Sequence, residues 1–117
     1  PLYWLIWHDE NGALLLEKRP AKGIWGGLYC TPCFDSLQAL HDFAARHGLT
    51  AEDLTELQPL THRLTHRLLL ITPFAVAGKR PSETLSDGLR VMPEKLADYG
   101  LPKPLAAWLA EKQPALF

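Results

Sequence analysis

Cysteine is scarce in this chain: two residues among 117, both in the tetrapeptide "CTPC", Cys30 and Cys33. Two thiols cannot hold a four-cysteine metal cluster or build a disulfide framework. Charge of either sign is balanced, with a formal net charge of −1, so no global field draws the chain to nucleic acid or to an anionic membrane. Anion binding must come from local clusters; Lys18, Arg19 and Lys22 form one candidate, and Arg63 with Arg67 another. Long apolar runs are missing too. Runs such as Leu2 to Trp7 and Leu68 to Ile71 are strand-sized, and neither a signal peptide nor a membrane span is legible. The chain also lacks linkers, long repeats and low-complexity segments. What remains is a 47 % apolar, 21 % charged chain of a length suited to one domain with a real core. It enters an apolar strand directly after Pro1, without a Met, which leads us to expect a domain of a longer protein.

The "CTPC" spacing admits a redox pair or half a zinc site. Zinc needs a second pair of ligands, and His62 with His66 would have to meet the cysteines in space to supply it. No thioredoxin-like strand and helix surround the pair, so two half-buried thiols of a reducing compartment are expected.

"LYWLIWH" (Leu2 to His8) is an aromatic, β-favouring strand suited to burial on both faces. The Asn-Gly of "DENG" signals a hairpin, which makes Ala13 to Arg19 the returning strand. "RPAKGIWGGLYCTPCF" is too rich in Gly and Pro for regular structure before about Leu28. Asp35 with Gln38 reads as a capping box opening a helix, with Leu37, Leu40, Phe43 and Ala44 inward and Gly48 as its stop. Leu54 to Ala77 reads as strands, broken near Pro59 and bent near Pro73. A polar loop and the short strand of "GLRVMP" follow. Pro93 then starts a brief helix closed by Gly100, and Pro104 a last helix with Leu105, Trp108 and Leu109 inward. The order is that of an α+β, or mixed α/β, domain with a helix against a central sheet.

Within the strand region lies "LTHRLTHRLLL", a doubled four-residue unit that places His62 and His66, Thr61 and Thr65, and Arg63 and Arg67 ahead of an apolar run. It admits a metal site, a basic strip, or a strand with a decorated end.

With Gly27 as its first position, the chain meets the frame of the Nudix signature, GX5EX7REUXEEXGU, where U is hydrophobic. Gly48-Leu49 falls on the closing Gly-hydrophobic pair and Phe43 on the internal hydrophobic position. The carboxylates do not follow. The first Glu position holds Cys33, the Arg-Glu pair is His41-Asp42, and the Glu-Glu pair is Ala45-Arg46. Nudix hydrolysis needs that cluster to hold Mg²⁺ through hard oxygen ligands. The residues that fold the scaffold are kept and those that catalyse are lost. Two further stretches resemble the C-terminal Nudix-like domain of the MutY family of adenine DNA glycosylases. "EKRPAKGIWGGLYCTPCF" (Glu17 to Phe34) is similar to that family's "RPxxGIWGGLW" segment, and "HRLTHRLL" (His62 to Leu69) resembles its H-x-F-S-H motif.

The resemblance covers nearly the whole chain and implies a Nudix-like fold with a central mixed sheet, a packed helix and a C-terminal helix over residues 1–117. It implies a non-catalytic module that recognises 8-oxoguanine opposite adenine in double-stranded DNA. Adenine excision and a 4Fe–4S cluster would belong to a separate N-terminal domain, in a bacterial cytoplasm; this domain would hold no metal or cofactor. Leu64-Thr65-His66 then take the Phe-Ser-His positions, with His62 as the preceding His. Thr65 keeps the hydroxyl that would bond the lesion edge, while Leu64 stacks less than the family Phe. Arg63, Arg67, Lys22 and Arg19 are candidate phosphate contacts, with plain solvation the alternative for the first two, and Trp25 reads by itself as a packing aromatic. Two other readings stand beside this one. The first is a degenerate Nudix domain that senses nucleotides or binds protein. The second is an active pyrophosphohydrolase drawing ligands from Glu83 and Asp87.

Overall fold

The computed structural model describes residues 1–82 and 88–112. Its centre is the pairing of β1 (Leu2–His8) with β7 (Leu68–Ala77), parallel and in register from Leu2 opposite Ile71 to His8 opposite Ala77. The remaining strands are antiparallel. β2 (Leu14–Lys18) returns along β1, β3 (Tyr29–Cys30) lies on β2, and β4 (Cys33–Phe34) lies on β1. β5 (Thr55–Glu56) and β6 (Leu60–Arg63) both pair with β7, and β8 (Leu89–Val91) with β2. The sheet is therefore mixed, as the family resemblance implied. Glu83 and Asp87 lie outside the described residues.

Alternation along the strands sends side chains into two cores. Leu2, Trp4, Ile6, Leu14, Leu16, Leu69 and Ile71 face Leu96 of a 3-10 turn (Pro93–Asp98) and Leu105 and Leu109 of α2 (Lys103–Lys112). Leu5, Trp7, Leu15, Phe74 and Val76 face Leu40, Phe43 and Ala44 of α1 (Leu37–Arg46). Trp4 to Trp7 are buried without a break, as a strand covered on both sides requires. Pro73 sits where the partner of β7 changes: β6 pairs up to Ile71 and β5 resumes at Phe74, so its missing N–H falls in the gap between ladders.

Three local expectations are corrected. The cap of α1 is Ser36, whose Oγ accepts from Ala39 N–H at 3.1 Å; Asp35 does not fill that role, and Gln38 instead donates to Asp42 at 2.8 Å. Leu37, expected inward, is 40 % exposed because it occupies the first turn of the helix, beyond the sheet. Trp108 is only half-buried, while Leu105 and Leu109 take the inner positions of α2.

The first hairpin depends on more than Asn-Gly. Asp9, 4 % exposed, accepts from Asn11 N–H and Ala13 N–H through Oδ1, both at 2.9 Å. Its Oδ2 faces Arg90 of β8 at 3.3 Å. Asp9→Ala leaves two turn N–H groups without this acceptor, while Arg90 keeps Glu10 at 3.4 Å, so it should cost about 1–3 kcal/mol in denaturant unfolding. A loss within about 0.5 kcal/mol, the range of an ordinary surface change, would show that the turn holds without this carboxylate.

Candidate nucleic-acid interface

The two copies of the LTHR unit are not equivalent in space. The first is β6 itself, where alternation turns Leu60 and His62 inward and leaves Thr61 and Arg63 exposed. The second copy, Leu64 to Arg67, is the turn into β7, closed by the Leu64 N–H donating to the Arg67 carbonyl at 2.7 Å. Thr65, His66 and Arg67 stand exposed at its tip. Leu64 is half-buried and packs on the core, which ties the turn to the body of the domain. Arg63 lies opposite Leu68, so the two arginines flank the tip. Leu68 and Leu70 add exposed apolar surface to the same hairpin, at 57 % and 48 %.

His62 does not join His66. Its ring packs 6.2 Å from that of Trp25, and Trp25 packs 6.1 Å from Trp4, giving a row of three rings from the hairpin to the core. Trp25 is thus the packing aromatic that the sequence suggested. It also carries a φ of +54°, a conformation that a bulky side chain rarely adopts. The loop around it is pinned by backbone bonds, including Leu28 N–H to the Trp25 carbonyl at 3.0 Å and Arg19 N–H to the Leu28 carbonyl at 2.7 Å.

Loop and hairpin meet at a cavity of about 540 Å³, lined by Arg19 and Ile24 of the loop and by Arg67 and Leu68 of the hairpin. Cys33 and Asp35 line it as well. Arg19 and Arg67, drawn from the two separate basic clusters, therefore share one recess. Lys22 is exposed on the loop and is not part of the lining.

The signature helix carries no carboxylate cluster. Asp42 is engaged by Gln38, Ala45 and Arg46 face solvent, and the Arg46 guanidinium lies 6.0 Å from the Phe43 ring centroid. Among the described residues no three His, Cys, Asp or Glu side chains come together as a metal site. The zinc site that Cys30 and Cys33 could have shared with His62 and His66 is not assembled. The sequence reading also missed how close the two cysteines are, with Sγ atoms 3.6 Å apart. No helix among the described residues is long and apolar enough to cross a membrane.

A mixed sheet between two helical layers, with a Gly-rich entry to the first helix, defines the class. The family model of the NUDIX domain matches residues 2–111, and the chain belongs to that family. An adenine DNA glycosylase of Buchnera aphidicola subsp. Baizongia pistaciae is 28 % identical over 71 residues, covering 61 % of this chain. The chain spans about a fifth (20 %) of that relative's length. The C-terminal domain of mouse MUTYH, solved in complex with human PCNA, superposes with a TM-score of 0.79 at 16 % identity, covering 97 % of this chain and 87 % of that one. The NUDIX domain of Shewanella oneidensis NrtR, solved with ADP ribose, gives 0.72 at 12 % identity, covering 99 % and 87 %. The Nudix hydrolase RenU of M. smegmatis gives 0.60 at 22 % identity, covering 97 % and 84 %. At these identities the structural likeness speaks to the fold alone.

Proposed function

We propose that this domain recognises 8-oxoguanine opposite adenine in duplex DNA and presents the mispair to the glycosylase domain of an adenine DNA glycosylase. The observation that carries the reading is the β6–β7 tip, where a short hydroxyl, an imidazole and an arginine project together from a turn anchored by Leu64. The similarity to an adenine DNA glycosylase supports it. In this reading Thr65 and His66 meet the base edge, while Arg63, Arg67 and Arg19 meet phosphate, with Lys22 at the margin. Position favours Thr65 over Thr61, because Thr61 is paired with Leu70 within the sheet while Thr65 stands exposed at the tip of the hairpin. Leu64, packed against the core, positions the turn, as His62 does through Trp25. The whole protein would carry adenine excision and a 4Fe–4S cluster in another domain and would work in the bacterial cytoplasm on nucleoid DNA.

Compared with guanine, 8-oxoguanine offers an N7–H donor and a C8 carbonyl, which a hydroxyl can read. Thr65→Val keeps the shape and removes the hydroxyl. In the full-length enzyme we expect it to cost about 1–3 kcal/mol of binding on the lesion duplex and little on the guanine duplex. Arg63→Gln and Arg67→Gln should weaken both duplexes alike and flatten the salt dependence. An unchanged lesion preference in Thr65→Val, with loss in Thr61→Val, would place the reader in the first copy instead. No change in either would remove the hairpin from recognition.

The shared cavity of Arg19 and Arg67 favours a second reading, a nucleotide-sensing Nudix module. Free 8-oxo-dGMP binding at micromolar concentration, with no preference among duplexes, would favour it over the first.

A further inference from the structure

The cysteine pair is used by neither reading, and its geometry is specific. Cys30 ends β3 and Cys33 begins β4, so the "CTPC" turn crosses from the edge of β2 to the edge of β1. The turn is fixed at both of its inner residues. The Thr31 hydroxyl donates to the Leu5 carbonyl, and Leu5 N–H donates to the Pro32 carbonyl at 3.0 Å. The Sγ atoms are thereby held 3.6 Å apart. A disulfide bond of about 2.05 Å requires them to close by roughly 1.5 Å. Access is unequal. Cys30 is fully buried, while Cys33 is half-buried and lines the cavity between the loop and the hairpin.

From this placement we infer that Cys30 and Cys33 form a reversible dithiol–disulfide couple, closed by a hydroperoxide entering the cavity and reopened by a small-molecule thiol. The surroundings assign the roles. The hydrogen bond from Cys30, assisted by the nearby Arg19 charge, lowers the Cys33 pKa against the effects of burial and Glu17; the same hydrogen bond and burial raise that of Cys30. Arg19 Nε and Trp4 Nε1 are buried N–H groups without a full hydrogen bond, and both residues favour negative charge on Cys33. Cys33, the sulfur that lines the cavity, is the attacking one, and fully buried Cys30 the resolving one.

The Cys33 thiolate attacks one peroxide oxygen and the O–O bond breaks. The departing hydroxide takes up the proton that Cys33 released and leaves as water, giving a sulfenic acid on Cys33. The Cys30 sulfur then attacks the Cys33 sulfur, the S–O bond breaks, and the oxygen leaves as a second water with the Cys30 proton. Two thiols lose two electrons and two protons, and hydrogen peroxide gains both. Reduction by dithiothreitol or glutathione proceeds by thiol exchange at Cys33, the sulfur that solvent can reach.

The test is intact-mass spectrometry of the chain treated with hydrogen peroxide and then alkylated in denaturant. The wild type should lose both alkylatable thiols, become lighter by about 2 Da, stay monomeric, and recover both thiols with dithiothreitol. Cys30→Ser should stop at a Cys33 sulfenic acid that dimedone traps, and Cys33→Ser should keep Cys30 reduced. The wild-type measurement needs no variant and decides by itself if a variant fails to fold. Retention of both thiols in excess peroxide, added oxygen atoms in place of the mass loss, or disulfide-linked dimers would overturn the couple. So would Cys33→Ser oxidising as fast as the wild type.

Discussion

Replacing Trp4 by alanine is expected to destabilise the domain by about 3–5 kcal/mol, the largest loss from any single substitution considered. Trp4 is fully buried at the middle of β1, the strand that pairs with β2, β4 and β7. Its ring also forms the inner end of the row that continues through Trp25 to His62. Truncation removes the packing of an indole and leaves a void that neighbours on a paired strand cannot collapse to fill. Because Trp25 leans on Trp4 and His62 on Trp25, backbone NMR shifts should spread from β1 into the Gly-rich loop and β6. Guanidinium unfolding gives the magnitude. A loss under about 1 kcal/mol would mean the sheet centre is far less tightly packed than its burial indicates.

The second large effect concerns Gly26. An added Cβ would stand 2.3 Å from the Ala21 carbonyl oxygen and 3.0 Å from its carbon. Both are backbone atoms, so no rotamer change relieves the clash, and the loop must open. Gly26→Ala should therefore cost about 1–3 kcal/mol or more and displace the neighbouring Trp25. Gly27 gives the contrast. It has open space around its would-be Cβ but a φ of +79°, so Gly27→Ala should cost only the left-handed penalty of about 1–2 kcal/mol. Calorimetry on both variants separates crowding from backbone strain. An equal or smaller loss for Gly26→Ala would show that the close approach to Ala21 does not constrain the loop.

Much of this was legible from local pattern. Unbroken aromatic and aliphatic residues from Leu2 to Trp7 gave a strand covered on both sides, and the spacing of Leu40, Phe43 and Ala44 gave the buried stripe of α1. Gly48, at a φ of +88°, ended the helix as a residue without Cβ can. The loss of acidic residues from the signature positions was plain, since identity alone decides whether an oxygen ligand is there.

What escaped was set by neighbours distant in sequence. Asp9 looked like part of a turn, yet its partner Arg90 lies on another strand. Ser36 and Asp35 are both good caps, and only the path of the chain chooses between them. The doubled LTHR unit reads as a symmetric repeat, but one copy pairs with β7 while the other has to turn, so only the second projects. Likewise Arg19 and Arg67 belong to separate clusters in sequence, and the folding of the Gly-rich loop onto the hairpin brings them to one cavity.

Lesion recognition by the β6–β7 tip is tested most directly by a two-dimensional NMR titration of this chain. The duplexes would be identical except for 8-oxoguanine or guanine opposite adenine. A lesion reader should show larger shifts and tighter binding with the 8-oxoguanine duplex, centred on Arg63 to Leu68 and extending to Arg19. Equal responses to the two duplexes, or shifts concentrated on α2 with the β6–β7 tip unmoved, would contradict it.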